Sequence, residues 1–483
     1  MNSAITNTTQ GAFINGRRVA TAETFLDLDP ATGLVLAEVA ACSADDVDRA
    51  VAAARAAFDG GWKRTTAAER ARVLQAIAAG IRRNADELGR IESQDTGKPL
   101  RQALVDVEFA ARFFEYYSNM VEAVFGSVIP AATDRMTFTV REAYGVTGHI
   151  TPWNYPLGLA TRSIAPSLAA GNCCVLKPAG EAPLSSLRLA EIMSAAGLPD
   201  GVFNVVPGIG AEAGAALAGH PGLGKLSFTG SVPVGIRIGQ ATAANLVPAD
   251  LELGGKSPNI VFGDADLETA AQVVANSILQ NAGQTCSAGS RLLVHRSVHD
   301  RLVEKLVARF SATTLGHGLD NPDMGPVISR RQQNSVLDYI TLGRTEGELL
   351  TGGGAPQDEA LAAGNFVLPT LIDGVAPDAR VAQEEIFGPV LSVTTFEDTE
   401  EAVAIANGTD YGLVAGVWTA SAGRAHRLIR DLHCGQVMVN TYSNGVELPF
   451  SGRKQSGYGT SKSYEALLGY TQTKGAVVMM SED

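Results

Sequence analysis

Cysteine is scarce in this chain, and metal-binding spacing is missing. The 483 residues hold five cysteines, Cys42, Cys173, Cys174, Cys286 and Cys434, with no CxxC pair or Cys–His cluster that could gather a tetrahedral zinc. So sparse and odd a set suits a reducing compartment, so the cytoplasm is expected, with no metal. No apolar run reaches membrane-spanning length, and the polar start MNSAITNTTQGAFINGRR lacks the core of a secretory signal. Clustered positive charge is also missing. A formal net charge of −13 repels phosphate backbones, which disfavours nucleic acid and anionic membranes as partners. The seven histidines accompany no GxSxG motif, and only His433 adjoins a cysteine, Cys434, so a hydrolase triad has no obvious base.

What is there reads as an α/β enzyme. The length exceeds one compact core, and 45% hydrophobic with 18% charged residues is ordinary globular composition. The N-terminal third carries helical periodicity: Ser43 and Asp46 form a capping box before Val47, Val51, Ala54 and Phe58, and a further helix is expected from about 101 to 122. From about Gly145, short β-rich runs (GVTGHI, CCVLK, GVFNVV, KLSFT, ADLEL) alternate with Ala-rich helical stretches. A second such series begins at PNIVF. Two domains of parallel sheet covered by helices are expected, meeting near Gly254–Gly255. The run MTFTVRE and the terminal GYTQTKGAVVMM are strand-like but belong to neither series, and strands of that kind need a sheet to join.

Several short motifs could carry chemistry. FTGSVPVG (228–235) follows a strand and opens a helix, leaving N–H groups near Gly230 and Ser231 for a phosphate, or forming a plain turn. GIGAEAG (208–214) departs from the dinucleotide fingerprint, its third glycine being one residue late. In PWNYP (152–156) two prolines fix where Asn154 points, which suits an oxyanion donor or a turn-satisfying amide. Glu252 ends a strand before two glycines, where apolar surroundings raise a carboxylate toward general-base use, or water solvates it. Cys286 sits in NAGQTCSAGS among small residues that offer little packing but leave room for a substrate. It lies past a helix end, so any lowering of its pKa must come from elsewhere. The residues alone reach a two-domain α/β enzyme with a nucleotide cofactor and a cysteine nucleophile as candidates.

Together, PWNYP, VLKPAGEAPL, FTGS, LELGGKSP, GQTCS, EEIFGPV (384–390) and LPFSGRKQSGYG (448–459) resemble the aldehyde dehydrogenase superfamily, in order and spacing over nearly the whole chain. The resemblance implies two Rossmann-like doubly wound parallel-sheet domains plus a small β oligomerisation arm. Residues 1–124 and 144–254 would bind the cofactor, 255–455 would carry the nucleophile, and 125–143 with 466–483 would form the arm of a homotetramer or homodimer. It implies Cys286 as nucleophile, Asn154 with the Cys286 N–H as oxyanion hole, and Glu252 as the base that hydrolyses a thioester. Members that pass the acyl group to coenzyme A usually lack this glutamate, so the chain looks hydrolytic. Ile150, Thr151, Pro152, Trp153, Lys177, Gly210, Gly230, Ser231, Leu253, Gly254, Glu385 and Phe387 would line the cofactor. Gly180 stands where NAD-using members commonly carry a ribose-binding glutamate, so NAD is expected with NADP tolerated.

For the substrate, Tyr155, Leu159, Thr285, Ser287 and Phe450 imply a partly aromatic pocket for a medium-sized or aryl aldehyde. Phe450 replaces the tryptophan common in betaine-aldehyde enzymes. Arg162 aligns with an arginine that holds the carboxylate in succinate-semialdehyde dehydrogenases, whereas their second arginine is Gln280 here. A carboxylate-bearing semialdehyde is the alternative substrate. A non-redox cysteine acyl transferase or esterase, and a binding protein that kept the fold, are the readings from other classes.

Overall fold

The computed structural model describes residues 9–443 and 445–480, so residues 1–8 of the expected cofactor domain and 481–483 of the expected arm lie outside the described residues. Two sheets organise the chain. The first runs Gly457–Tyr458, Ala249–Glu252, Lys225–Thr229, Val146–Ile150, Cys173–Lys177, Phe203–Val205, Ala12–Ile14, Arg17–Val19. Its five central strands are parallel. The chain builds outward from Val146–Ile150 on one side, then crosses to start Lys225–Thr229 on the other. The loops leaving these two neighbours diverge, opening the crevice where open α/β sheets take ligands.

The second sheet runs Glu348–Thr351, Thr370–Asp373, Val390–Phe396, Arg291–His295, Pro258–Val261, Val414–Trp418, Gln436–Val439, parallel except at its first strand. Glu252 leaves the C-terminal edge of one sheet, and Pro258 enters the N-terminal edge of the other. The segment carrying Cys286 precedes Arg291–His295 and so sits at that same junction. Both sheets are Rossmann-like, as the sequence predicts.

The expected capping box is present: Ser43 N–H donates to Asp46 Oδ2 at 2.9 Å, and Asp46 N–H donates to Ser43 Oγ at 3.4 Å. The N-terminal third is not wholly helical, however. Residues 9–41 contribute five strands, two of which extend the first sheet through antiparallel pairing of Phe13 with Val205. Such short pieces are held by partners far along the chain, which local periodicity does not register.

The helix Pro156–Ala169 is buried along its whole length, with Pro156 in its first turn where a missing N–H costs nothing. Leu157, Ile164 and Leu168 are fully enclosed, each contributing roughly 1.5–3 kcal/mol of apolar burial. This rigid element carries Leu159 and Arg162.

The two strand-like segments outside the α/β series pair with each other. Thr471–Met479 and Arg135–Ala143 run antiparallel over nine residue pairs, with Val128–Ala132 on the other flank. At the other edge of the first sheet, Leu251 pairs with Tyr458, and Leu253 N–H donates to the Ser456 carbonyl at 3.0 Å. Among the described residues no helix is long and apolar enough to cross a membrane, and no group of His, Cys, Asp and Glu could hold a metal ion.

Candidate active site

The crevice is a cleft of about 290 Å³ lined by Pro152, Trp153, Asn154, Gly230, Ser231, Leu253, Gly254, Cys286, Glu385 and Phe387, all named from sequence. Thr229, Arg331 and Gln332 also line it, and sequence reasoning missed them. Gln332 has a structural signature: its side-chain amide donates to the carbonyls of Ile386 and Phe387 at 3.2 and 3.0 Å. That pins a turn in which Phe387 takes a left-handed backbone, φ 56°. The Phe387 ring then meets Trp153 edge-on, centroids 5.3 Å apart.

Cys286 is half-buried in a turn reached through an unusual approach. The helix Leu267–Leu279 ends, and Asn281, Ala282 and Gly283 all adopt positive φ. The Asn281 side chain donates to the Asn154 carbonyl at 2.9 Å, and Gln284 Oε1 accepts from Ile328 N–H at 2.8 Å. On the far side, Tyr442 OH donates to the Ser287 carbonyl at 2.9 Å. The nucleophile loop is therefore clamped from both sheets.

Asn154 is buried, and its amide donates to the Gln284 carbonyl at 2.9 Å while its own Oδ1 has no partner. An amide nitrogen carries two donors, so one N–H remains for a substrate oxygen. Tyr155 OH lies 2.8 Å from Thr285 Oγ1, and the Lys98 ammonium sits 4.2 Å from the centre of the Tyr155 ring. Lys98 is held in turn by Asp106 at 2.6 Å and Glu92 at 3.3 Å, a buried ion cluster behind the site.

Glu252 is 3% exposed, and neither carboxyl oxygen finds a hydrogen-bond partner of normal geometry. Burial pushes it up to about 7, opposed by the nearby Arg162 charge and the Ser461 hydroxyl. Burial also pushes the Cys286 thiol up to about 11, with Arg162 the main charge drawing it back and Glu252 opposing. Lys462 is pressed down to about 8 by burial and by Arg162.

On the cofactor side, Ile150 and Lys177 are paired at the ends of adjacent parallel strands, and Thr151 N–H donates to the Lys177 carbonyl at 3.1 Å. Gly210 opens the short helical turn Gly210–Gly214, whose Gly214 packs beside the Lys177 side chain. Ser231 caps the helix Val232–Ala244 without a side-chain capping bond, leaving its first N–H groups unpaired by that route. A Cβ at Gly254 would come within 2.2 Å of Glu385 Oε2, so a side chain there would displace that carboxylate. Glu385 accepts from Gly255 N–H at 3.0 Å, and burial raises it to about 7.

Gln280 does not join this group. It is exposed and lines a separate groove with Arg101, Gln102 and Arg309, because the chain reverses through the left-handed residues between it and Cys286. Arg162, Leu159 and Phe450 are all buried beside the nucleophile's side of the junction.

The sequence profile of the aldehyde dehydrogenase family matches residues 18–476. A hydroxyisobutyraldehyde dehydrogenase of Mycolicibacterium austroafricanum is 43% identical over 454 residues, 93% of this chain and 90% of that protein. The NAD+ complex of an aldehyde dehydrogenase from Bacillus cereus superposes with a TM-score of 0.97 at 41% identity, covering 99% of this chain and 98% of its own. A variant of an indole-3-acetaldehyde dehydrogenase from P. syringae, in complex with NAD+ and IAA, gives 0.95 at 41% identity, covering 98% and 97%.

Proposed function

The chain belongs to the aldehyde dehydrogenase family, and on that premise we propose that it oxidises an aldehyde to the carboxylic acid through a covalent intermediate on Cys286. The observation that carries this reading is the convergence of the Cys286 thiol, the spare Asn154 donor and the raised Glu252 carboxyl at one junction.

The residues fit a nicotinamide dinucleotide. The uncapped start of Val232–Ala244 with Gly230 and Ser231 suits the pyrophosphate, Lys177 the adenosine ribose, and Glu385, in the cradle that Gly254 leaves open, the nicotinamide ribose. Trp153 and Phe387 shape the ring pocket, with Pro152 and Leu253 in the cleft wall; Gly210, Ile150 and Thr151, outside the cleft lining, would extend the cofactor's path toward its adenine end. NAD+ is the cofactor bound in the relatives' complexes, and NADP+ stays compatible with Gly180. When bound, the cofactor supplies the acceptor for the hydride that the aldehyde carbon loses.

Cys286 first releases its proton to solvent; its thiolate then forms the S–C bond, and the carbonyl electron pair moves onto oxygen, where the second Asn154 N–H and the Cys286 N–H stabilise it. Loss of hydride leaves a thioester. Glu252 takes a proton from water as that water attacks, and the C–S bond breaks to release acid and thiolate. A carboxyl that titrates near 7 is matched to this work at neutral pH. Tyr155, Leu159, Thr285, Ser287 and Phe450 form the substrate walls, suited to a medium-sized or aromatic aldehyde.

Residues 1–124 and 144–254 form the cofactor domain in this reading, 255–455 the catalytic domain, and 125–143 with 466–483 the arm. The arm exposes Val128, Met136, Val477 and Met479, an apolar surface suited to assembly as a homotetramer or homodimer. The five free thiols suit the cytoplasm. The deciding experiment follows reduced cofactor with an aldehyde panel and both NAD+ and NADP+. Failure of every aldehyde to reduce either cofactor would overturn the reading, and a non-redox acyl transferase would take its place.

A further inference from the structure

Just past the helix Leu267–Leu279, Asn281 and Ala282 hold φ 50° and 53° with ψ 35°, a left-handed pair of non-glycine residues. Asn281 is 3% exposed, and its N–H has left the helical ladder, so it needs an acceptor from elsewhere. That acceptor is Gln102, in the first turn of the helix Leu100–Met120: the Asn281 N–H donates to Gln102 Oε1 at 3.1 Å. The side chain of Asn281 is committed to the oxyanion donor. Its Nδ2 donates to the Asn154 carbonyl at 2.9 Å and to the Gln284 carbonyl at 3.3 Å, and the Gln284 carbonyl also accepts from Asn154 Nδ2 at 2.9 Å. Gln284 returns the contact, its own amide donating to the Asn281 carbonyl at 2.9 Å.

Ala282 packs in an apolar cluster with Val336 and Ile386, which holds the far end of the bend. Apolar packing has no direction, so it leaves the rotation of the Asn281 peptide open, and a hydrogen bond has to set it. Without the Gln102 oxygen a buried N–H is left unpaired, a cost relieved by turning the peptide toward water. Gln102 and Gln280 both line a groove of about 510 Å³ beside the bend, through which water can reach it. We infer that Gln102 is a positioning residue for the oxyanion donor: it fixes the Asn281 peptide, and Asn281 in turn fixes Asn154. Gln102 itself lies outside the cleft that holds Cys286. The inference rests on the dehydrogenase reading and adds a residue that none of the sequence motifs contains.

Gln102→Met keeps the length of the side chain and removes the acceptor, whereas Gln102→Glu keeps an acceptor. In steady-state formation of NAD(P)H, Gln102→Met should lower kcat about tenfold with KM within about twofold of wild type. Gln102→Glu should stay within about threefold of wild type in both. The sharper comparison uses the Asn154→Ala background. Adding Gln102→Met there should change kcat by less than about twofold, because the group it positions is gone. Alkylation of Cys286 by iodoacetamide should run at the wild-type rate in Gln102→Met, since that reaction needs no oxyanion donor. Thermal midpoints report folding, and should Gln102→Met not fold, Gln102→Ala, a good helix former, takes its place. The positioning role is overturned by a kcat unmoved in Gln102→Met, by equal losses in the Met and Glu variants, or by an undiminished loss on top of Asn154→Ala. Alkylation that slows in step with kcat overturns it too. Wild-type enzyme that reduces neither NAD+ nor NADP+ with any aldehyde overturns the dehydrogenase reading and the role with it.

Discussion

Asn154 Nδ2 lies 2.9 Å from the carbonyl of Gln284, two residues before the thiol it is to assist. One hydrogen bond thereby sets the distance between the oxyanion donor and the nucleophile loop. Asn154→Ala removes the donor and the tether together, and kcat should fall about 10²–10³-fold. Steady-state rates check this, with cofactor binding followed by fluorescence titration as the control for intact folding.

Cys286→Ala should abolish turnover and leave cofactor binding in place. The free enzyme's thiol is held up to about 11 by burial, so it is protonated at neutral pH. Its alkylation by iodoacetamide, followed by mass spectrometry without cofactor, should therefore speed up continuously from pH 7 to pH 10. A rate already at its plateau by pH 7 contradicts the protonated thiol.

Glu252 works as a base only when deprotonated. With the carboxyl raised to about 7, the active fraction grows as pH rises through that value and falls below it. Turnover limited by thioester hydrolysis should climb between about pH 6 and pH 8. Glu252→Gln should flatten that limb and accumulate acyl-enzyme, visible as a mass increment on the protein. A normal steady-state rate in the variant would refute the role.

Gly283 has φ 75°, and a Cβ there would meet the Gly388 carbonyl oxygen at 2.1 Å. Strained backbone and a clash with main chain cannot be relieved by turning a side chain. Gly283→Ala should cost at least about 1–3 kcal/mol and displace the loop that delivers Cys286. A lowered thermal midpoint together with reduced alkylation of Cys286 is the expected pair of results.

Much of this organisation can be read in the residues because α/β units announce themselves locally. KLSFT and ADLEL are short apolar runs closed by turns, and they are strands at Lys225–Thr229 and Ala249–Glu252. Asn154, Gly230 and Glu252 stand at or just past the ends of such strands, whereas Cys286, Glu385 and Phe387 precede theirs, and Glu385 and Phe387 are named only through the family resemblance. Lys462 could be named by neither route. It reaches Phe450 and Phe109 only after the chain returns through two left-handed residues, Lys462 and Ser463, and nothing near position 462 reports on position 109. Gln332 escaped for the same reason, its partners at Ile386 and Phe387 being distant in sequence. The strands of residues 9–41 were hidden because edge pairing, not local alternation, holds them.

The pairing of Leu251 with Tyr458 bears on the order of synthesis. The strand that ends in Glu252 has its outer edge closed by residues that lie far later in the chain. A nascent chain can therefore display Asn154, Glu252 and Cys286 long before the wall beside them exists. Until residues 456–458 have been made, the strand that carries Glu252 keeps an open edge.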